Sequence, residues 1–158
     1  MMGVRWLNER EARAWRALQR LQLRLPAALA HQLATDSGLS YPDYAVLVAL
    51  TDQPDGRLRP GELAGELGWE KSRLSHHVAR MVERGLVRKE VCPADRRGAF
   101  VAVTERGRRE LEAAAPGHVA AVRRLVVDRL TPDQLDALAD AATAVLAALD
   151  EEDRRNGC

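Results

Sequence analysis

The spacing of apolar residues changes twice along this sequence, and the two changes limit what it can fold into. Up to Arg84 apolar residues recur at helical intervals, from Leu86 to Val103 they alternate, and from Thr104 the helical spacing returns. The alternating stretch reads as two strands, Leu86-Val-Arg-Lys-Glu-Val91 and Ala99-Phe-Val-Ala-Val103, joined by the loop Cys92-Pro-Ala-Asp-Arg-Arg-Gly98. Composition supports helix elsewhere: aromatics are 4% of the 158 residues, so the 46% apolar content is mostly Ala, Leu and Val, which favours helices over a β-sandwich. The expected class is mainly α with a small β-hairpin, an α+β chain long enough to bury a core as one unit over 1–158.

The helical part has legible punctuation. Residues 5–33 read as one helix that Pro26 should kink, and Thr35-Asp-Ser-Gly38 is turn composition. Ser40 caps a second, more buried helix holding Tyr41, Tyr44, Val46, Leu47 and Leu50, and Asp52-Gln-Pro-Asp-Gly56 ends it. Pro60 suits the first position of a short helix to Leu67, Gly68 breaks it, and a new helix runs from about Glu70 to Arg84. That helix turns Leu74, Val78, Met81 and Val82 inward and stops at Gly85. Thr104 looks like the N-cap of a helix reaching about Arg129, bent at Pro116. Thr131-Pro-Asp-Gln134 is a capping box for a last helix ending near Leu149, followed by a charged tail, 151–158.

A short helix, a glycine turn, a second helix and a hairpin, in that order, describe a winged helix-turn-helix over 40–104. The second helix, with its apolar side inward, exposes Ser72, Arg73, His76, Ala79, Arg80 and Glu83, with Ser75 and His77 at the two borders. Hydroxyls, imidazoles and guanidinia can donate into a major groove or to phosphate, whereas an ordinary solvated face would more often mix Glu and Lys. The hairpin tip carries Asp95-Arg96-Arg97-Gly98, and a basic tip between strands can enter a narrow minor groove. Asp95 could brace the turn or orient Arg97; the alternative is a solvated turn that uses Asp and Gly for geometry. Charge is segregated accordingly: residues 1–68 are neutral, 69–109 carry +6 and 110–158 carry −5, for a total of +1. The positive charge therefore falls on the proposed reading helix and wing, as phosphate binding needs.

These residues resemble the MarR-type transcriptional regulators. The matching runs are Gly61-Glu-Leu-Ala-Gly-Glu-Leu-Gly68, Lys71-Ser-Arg-Leu-Ser-His-His-Val-Ala-Arg80, Glu83-Arg-Gly-Leu-Val87, Asp95-Arg-Arg-Gly98 and Val103-Thr-Glu-Arg-Gly107. The resemblance implies a cytoplasmic homodimer paired through N- and C-terminal dimerisation helices, here 5–33 and 108–150, on a pseudo-palindromic operator in double-stranded DNA. It implies that Ser72, Arg73, Ser75, His76, His77 and Arg80 face the major groove or its phosphates, and that Arg96 and Arg97 of the wing, with Asp95 supporting, serve the minor groove. Many members release DNA when a small, often phenolic or anionic, ligand enters a crevice beside the dimerisation helices. The expected function is sequence-specific regulation of transcription, as a repressor. The alternatives are a regulator that binds DNA without any ligand and a winged-helix interaction module without a DNA target.

The residues agree on the dimer. Leu111, Val119, Val122, Leu125, Val126, Leu130, Leu135, Leu138, Val145, Leu146 and Leu149 are more apolar surface than two isolated helices can hide, although a compact monomer is the alternative. Trp15, Arg16, Tyr41 and Tyr44 are the aromatic and cationic groups near the expected crevice; they either line a ligand site or pack the dimer core and support the DNA lobe. Two features depart from the family pattern. Trp69 stands where a hydroxyl or small residue often follows the turn glycine, and Glu70 favours the helix dipole while repelling phosphate. His76-His77 is a further peculiarity, but adjacent helix positions diverge by about 100° and no third ligand is spaced for zinc, so no metal and no cofactor is expected. His31 and His118 are isolated and read as structural or solvated. Cys92, beside Arg96 and Arg97, is a candidate redox thiol, and with Cys158 it makes no disulfide framework. No Gly-rich phosphate loop, zinc-spaced set or nucleophile elbow is present, so no enzyme is expected. The start has no apolar leader and no stretch reaches about 18 apolar residues, so no membrane partner is expected.

Overall fold

The computed structural model describes residues 3–91 and 98–157. Its elements are α1 (Glu9–Asp36), α2 (Tyr41–Thr51), β1 (Arg57–Leu58), α3 (Pro60–Leu67), α4 (Lys71–Glu83), β2 (Val87–Val91), β3 (Ala99–Val103), α5 (Glu105–Leu125) and α6 (Pro132–Asn156). A 3₁₀ turn, Val127–Arg129, lies between the last two. The chain divides into two compact units, Met1–His118 and Val119–Cys158. It is mostly helical with a small antiparallel sheet, as its composition suggests.

The helix boundaries follow from capping chemistry. Asn8 and Glu11 form a reciprocal capping box, so α1 starts at Glu9 rather than at residue 5, and it runs through Pro26 to Asp36. Ser40 and Asp43 cap α2 in the same way, and Thr131 and Gln134 cap α6. The expected helix to Arg129 is cut at Leu125 by the 3₁₀ turn. The last helix instead outruns Leu149 and ends at Asn156: its charged tail holds the good helix formers Glu151, Glu152, Arg154 and Arg155, and the two Arg complement the dipole at its end.

The sheet has one strand more than the hairpin. β1 pairs antiparallel with β3 (Arg57 with Ala102, Leu58 with Val101), giving the order β1-β3-β2. Two residues between turn signals are too few for alternation to reveal a strand. Leu33, Leu39, Leu47, Leu50, Leu63, Leu74, Met81, Leu86, Val87 and Val101 belong to one buried cluster in the first unit. Val82, expected in that core, is 38% exposed; Leu74, Val78 and Met81 are the buried residues of α4.

Two glycines fix how the reading unit is joined. Gly68 adopts φ 64° between α3 and α4, the left-handed turn that a Cβ disfavours. Gly107, in the first turn of α5, lies against backbone: a Cβ there would collide with the Leu86 carbonyl oxygen. The Thr104 hydroxyl completes that junction, donating to the Gly85 carbonyl (2.6 Å) and accepting from the Gly107 N–H (3.0 Å). The Thr-x-x-Gly spacing thus seats the start of α5 on the exit of α4.

Candidate nucleic-acid interface

The exposed face of α4 carries Ser72, Arg73, Ser75, His76, Ala79 and Arg80, as the helical wheel requires once Leu74, Val78 and Met81 are buried. Trp69 has a definite place at the entrance of this helix. Its indole face lies under the Arg73 guanidinium, 4.3 Å from the ring centroid, and His77 meets it edge-on at 5.5 Å. The bulky residue that departs from the family pattern therefore supports one of the cations of the face. Glu70 stands at the N-cap of α4 without a side-chain capping bond.

His77 differs from the other face residues. Its side chain is 12% exposed, with Nε2 2.9 Å from Oδ1 of Asp43. The helix that presents His76 to solvent turns His77 about 100° away, onto the N-terminus of α2. Of the two borders of the exposed face, His77 thus occupies the more buried one.

Asp43 is 1% exposed and is the buried charged residue on which α2 and α4 meet. Oδ2 accepts from the Ser40 N–H (2.9 Å) and from Arg84 Nη1 (2.7 Å), while Oδ1 faces His77. Arg84 also donates to the Gly38 carbonyl. Burial opposes ionisation of Asp43, but the facing His77 ring, hydrogen bonds from Ser40 and Arg84, and the Arg84 charge outweigh it and hold the carboxyl well below the usual range. Sequence reasoning missed this residue. The Ser40-x-x-Asp43 spacing discloses the cap, but nothing local discloses partners 34 and 41 positions further on.

At the base of the wing, Arg57 pairs with Asp55 (3.0 Å) and Glu90 (3.1 Å), and Arg88 pairs with Glu90 (2.6 Å). The Arg57 and Arg59 guanidinia both lie over the Phe100 ring, at 4.6 and 4.8 Å. Arg84 and Arg88 are thus engaged within the lobe, and the +6 of residues 69–109 overstates the charge offered outward. Cys92, Asp95, Arg96 and Arg97, which carry the expected wing contacts and the candidate thiol, lie outside the described residues.

The expected ligand residues separate into two pairs. Tyr41 and Tyr44 line a cavity of about 320 Å³ with Ala45, Val48, Leu67 and His118. Trp15 and Arg16 are exposed on α1 and are not among its walls. The His118 ring lies 4.4 Å from that of Tyr44, and burial pushes its imidazole down. Its Nδ1 is 3.2 Å from Gln32 Oε1, an acceptor, so that nitrogen carries the hydrogen. Asp52 and Glu66 also line the cavity. Among the described residues no cluster of three or more His, Cys, Asp or Glu is placed to hold a metal, and no helix is long and apolar enough to cross a membrane.

Comparison with known proteins places this geometry. The MarR family model matches residues 37–98. The transcriptional regulator HosA of Escherichia coli O111:H- is 36% identical over 104 residues, covering 66% of this chain and 73% of HosA. Sco3205, a MarR family transcriptional regulator from Streptomyces coelicolor solved in complex with DNA, superposes with a TM-score of 0.88 at 42% identity, covering 94% of this chain and 93% of that one. AbsC, a MarR family regulator from the same organism, superposes with a TM-score of 0.87 at 38% identity, covering 94% and 99%.

Proposed function

Because the chain belongs to the MarR family and is a DNA-binding transcriptional regulator, we propose that it acts as a cytoplasmic homodimeric repressor of a pseudo-palindromic operator. In this reading two copies of α4 enter successive major grooves through Ser72, Arg73, Ser75, His76 and Arg80. Arg97 of each wing enters the flanking minor groove, with Arg96 beside it and Asp95 steadying it. The observation that carries the reading is the exposed α4 face, donor-rich and backed by a fully buried core.

Support for the dimer comes from surface that one chain leaves wet. Trp6 is 83% exposed, Trp15, Leu21 and Leu23 are exposed on α1, and α6 has no buried residue while it exposes Leu138, Val145, Leu146 and Leu149. A helix without a buried face, as α6 is, does not persist alone in water, and α1 buries Leu29 and Leu33 near its end while its first half stays wet, so 5–33 and 108–150 are assigned to pairing. The Tyr41–Tyr44–His118 cavity, at the small end of the usual range for ligands, fits a compact phenolic ring; Asp52 and Glu66 disfavour an anion there. Its occupation would release the DNA.

The test is a gel shift on the promoter DNA of the protein's own gene, with the mass in solution read by light scattering. Arg80→Ala and Arg97→Ala should each lose about 1–3 kcal/mol of binding. If both bind as the wild type does, the reading-head assignment is wrong; a monomeric mass at micromolar concentration removes the dimer.

A further inference from the structure

His77 connects the buried interior to the exposed reading face. On one side its Nε2 is 2.9 Å from Oδ1 of Asp43, a close polar contact, and neither atom makes a hydrogen bond of good geometry among the described residues. On the other side its Nδ1 is 3.3 Å from Nη2 of Arg80. A guanidinium has hydrogens and no acceptor, so a bond between Arg80 and Nδ1 requires that nitrogen to be bare. The ring hydrogen then sits on Nε2, where the carboxylate needs a donor, so both contacts select one tautomer. Trp69 meets the ring edge-on and limits its rotation.

We propose that His77 is a positioning residue for DNA recognition: anchored by buried Asp43, it accepts from Arg80 and fixes that guanidinium along the exposed face of α4. Arg80 has a long, flexible side chain on an exposed helix face, and unrestrained it would lose much rotational freedom on binding. An arm already held by the lobe avoids part of that cost, so the gain falls on the duplex whose geometry the held arm matches. The inference rests on the reading that Arg80 contacts DNA.

The test uses the full chain and a duplex recovered with it from a random double-stranded library, against a scrambled duplex of the same composition. The quantity read is the ratio of the two affinities. Arg80→Ala should lower that ratio at least tenfold. His77→Gln, which keeps an amide donor for Asp43 but offers Arg80 no ring acceptor, should lower it about three- to tenfold. Adding Arg80→Ala to His77→Gln should then cost little more than Arg80→Ala alone. Losses that multiply overturn the proposal while leaving the reading face intact. No effect of Arg80→Ala overturns both. Nitrogen-15 NMR of the His77 ring in the wild type needs no variant to fold: protonated Nε2 with bare Nδ1 at pH 7.5 is expected, and the opposite tautomer or an imidazolium refutes it.

Discussion

Replacing Asp43 by Ala removes a carboxylate that is 1% exposed, and the cost can be assembled from its partners. The Ser40 N–H loses its reciprocal capping bond, about 1 kcal/mol. Nε2 of His77, buried and without a hydrogen bond of good geometry among the described residues, loses the carboxylate oxygen that faces it at 2.9 Å, about 1–3 kcal/mol of unmet desolvation. Arg84 loses a charge-assisted bond of 2.7 Å, but its side chain is 43% exposed and water recovers most of that, leaving about 0.5–1 kcal/mol. The sum is about 2.5–5 kcal/mol, a large part of the 5–15 kcal/mol typical of a folded domain. Urea unfolding at pH 7 and fixed protein concentration should show this loss as a lower midpoint with little change in slope. Asp43→Asn, which keeps an acceptor for Ser40, should lose less. The folded-state pKa is depressed, so the contribution of Asp43 is complete above the usual carboxylate pKa near 4. It is lost only as pH falls towards the folded value. The gap between wild type and Asp43→Ala should therefore be constant from pH 8 to 5 and narrow below pH 4. A loss under about 1 kcal/mol at pH 7, or a gap that closes between pH 7 and 5, would refute the accounting.

Gly107→Ala should destabilise by about 2–3 kcal/mol, because its Cβ would meet the Leu86 backbone, which cannot step aside as a side-chain tip can. Gly65→Ala, with open space around the new carbon inside α3, should gain about 0.4–1 kcal/mol in the same melts; equal effects at the two sites would contradict the packing described. Lys71, exposed at the first position of α4, is suited to a phosphate, so Lys71→Ala should weaken all duplexes alike and reduce the slope of log affinity against log salt by about 1. Arg80→Ala should instead relax sequence preference, and a reversal of the two behaviours would exchange their roles.

Local chemistry made much of this molecule legible before its structure. Ser40, Thr131, Pro60 and the glycines at 68 and 85 act on neighbours within four residues, and the elements they bound fall close to where the sequence puts them. Less legible were features whose cause lies far along the chain. β1 exists because Arg57 and Leu58 meet Ala102 and Val101, and His77 turns inward because of a carboxylate 34 residues earlier. A helical wheel places His77 at a border and cannot decide which side of the border it takes. Trp69 looks anomalous as a letter in a motif and becomes a support only when Arg73 and His77 are seen against its ring.

The seat of α5 on the Leu86 backbone has a mechanical meaning. Side chains between two helices act as compliant padding, since rotamers can change to absorb a displacement. Between Gly107 and Leu86 no side chain intervenes, and the Thr104 hydroxyl bolts the two backbones from both directions. The opening turn of α5 is therefore fastened to Gly85 and Leu86, the residues by which the chain leaves α4. A tilt of the first turn of α5 would act on the exit of the reading helix through backbone contacts and the Thr104 hydroxyl rather than through side-chain packing.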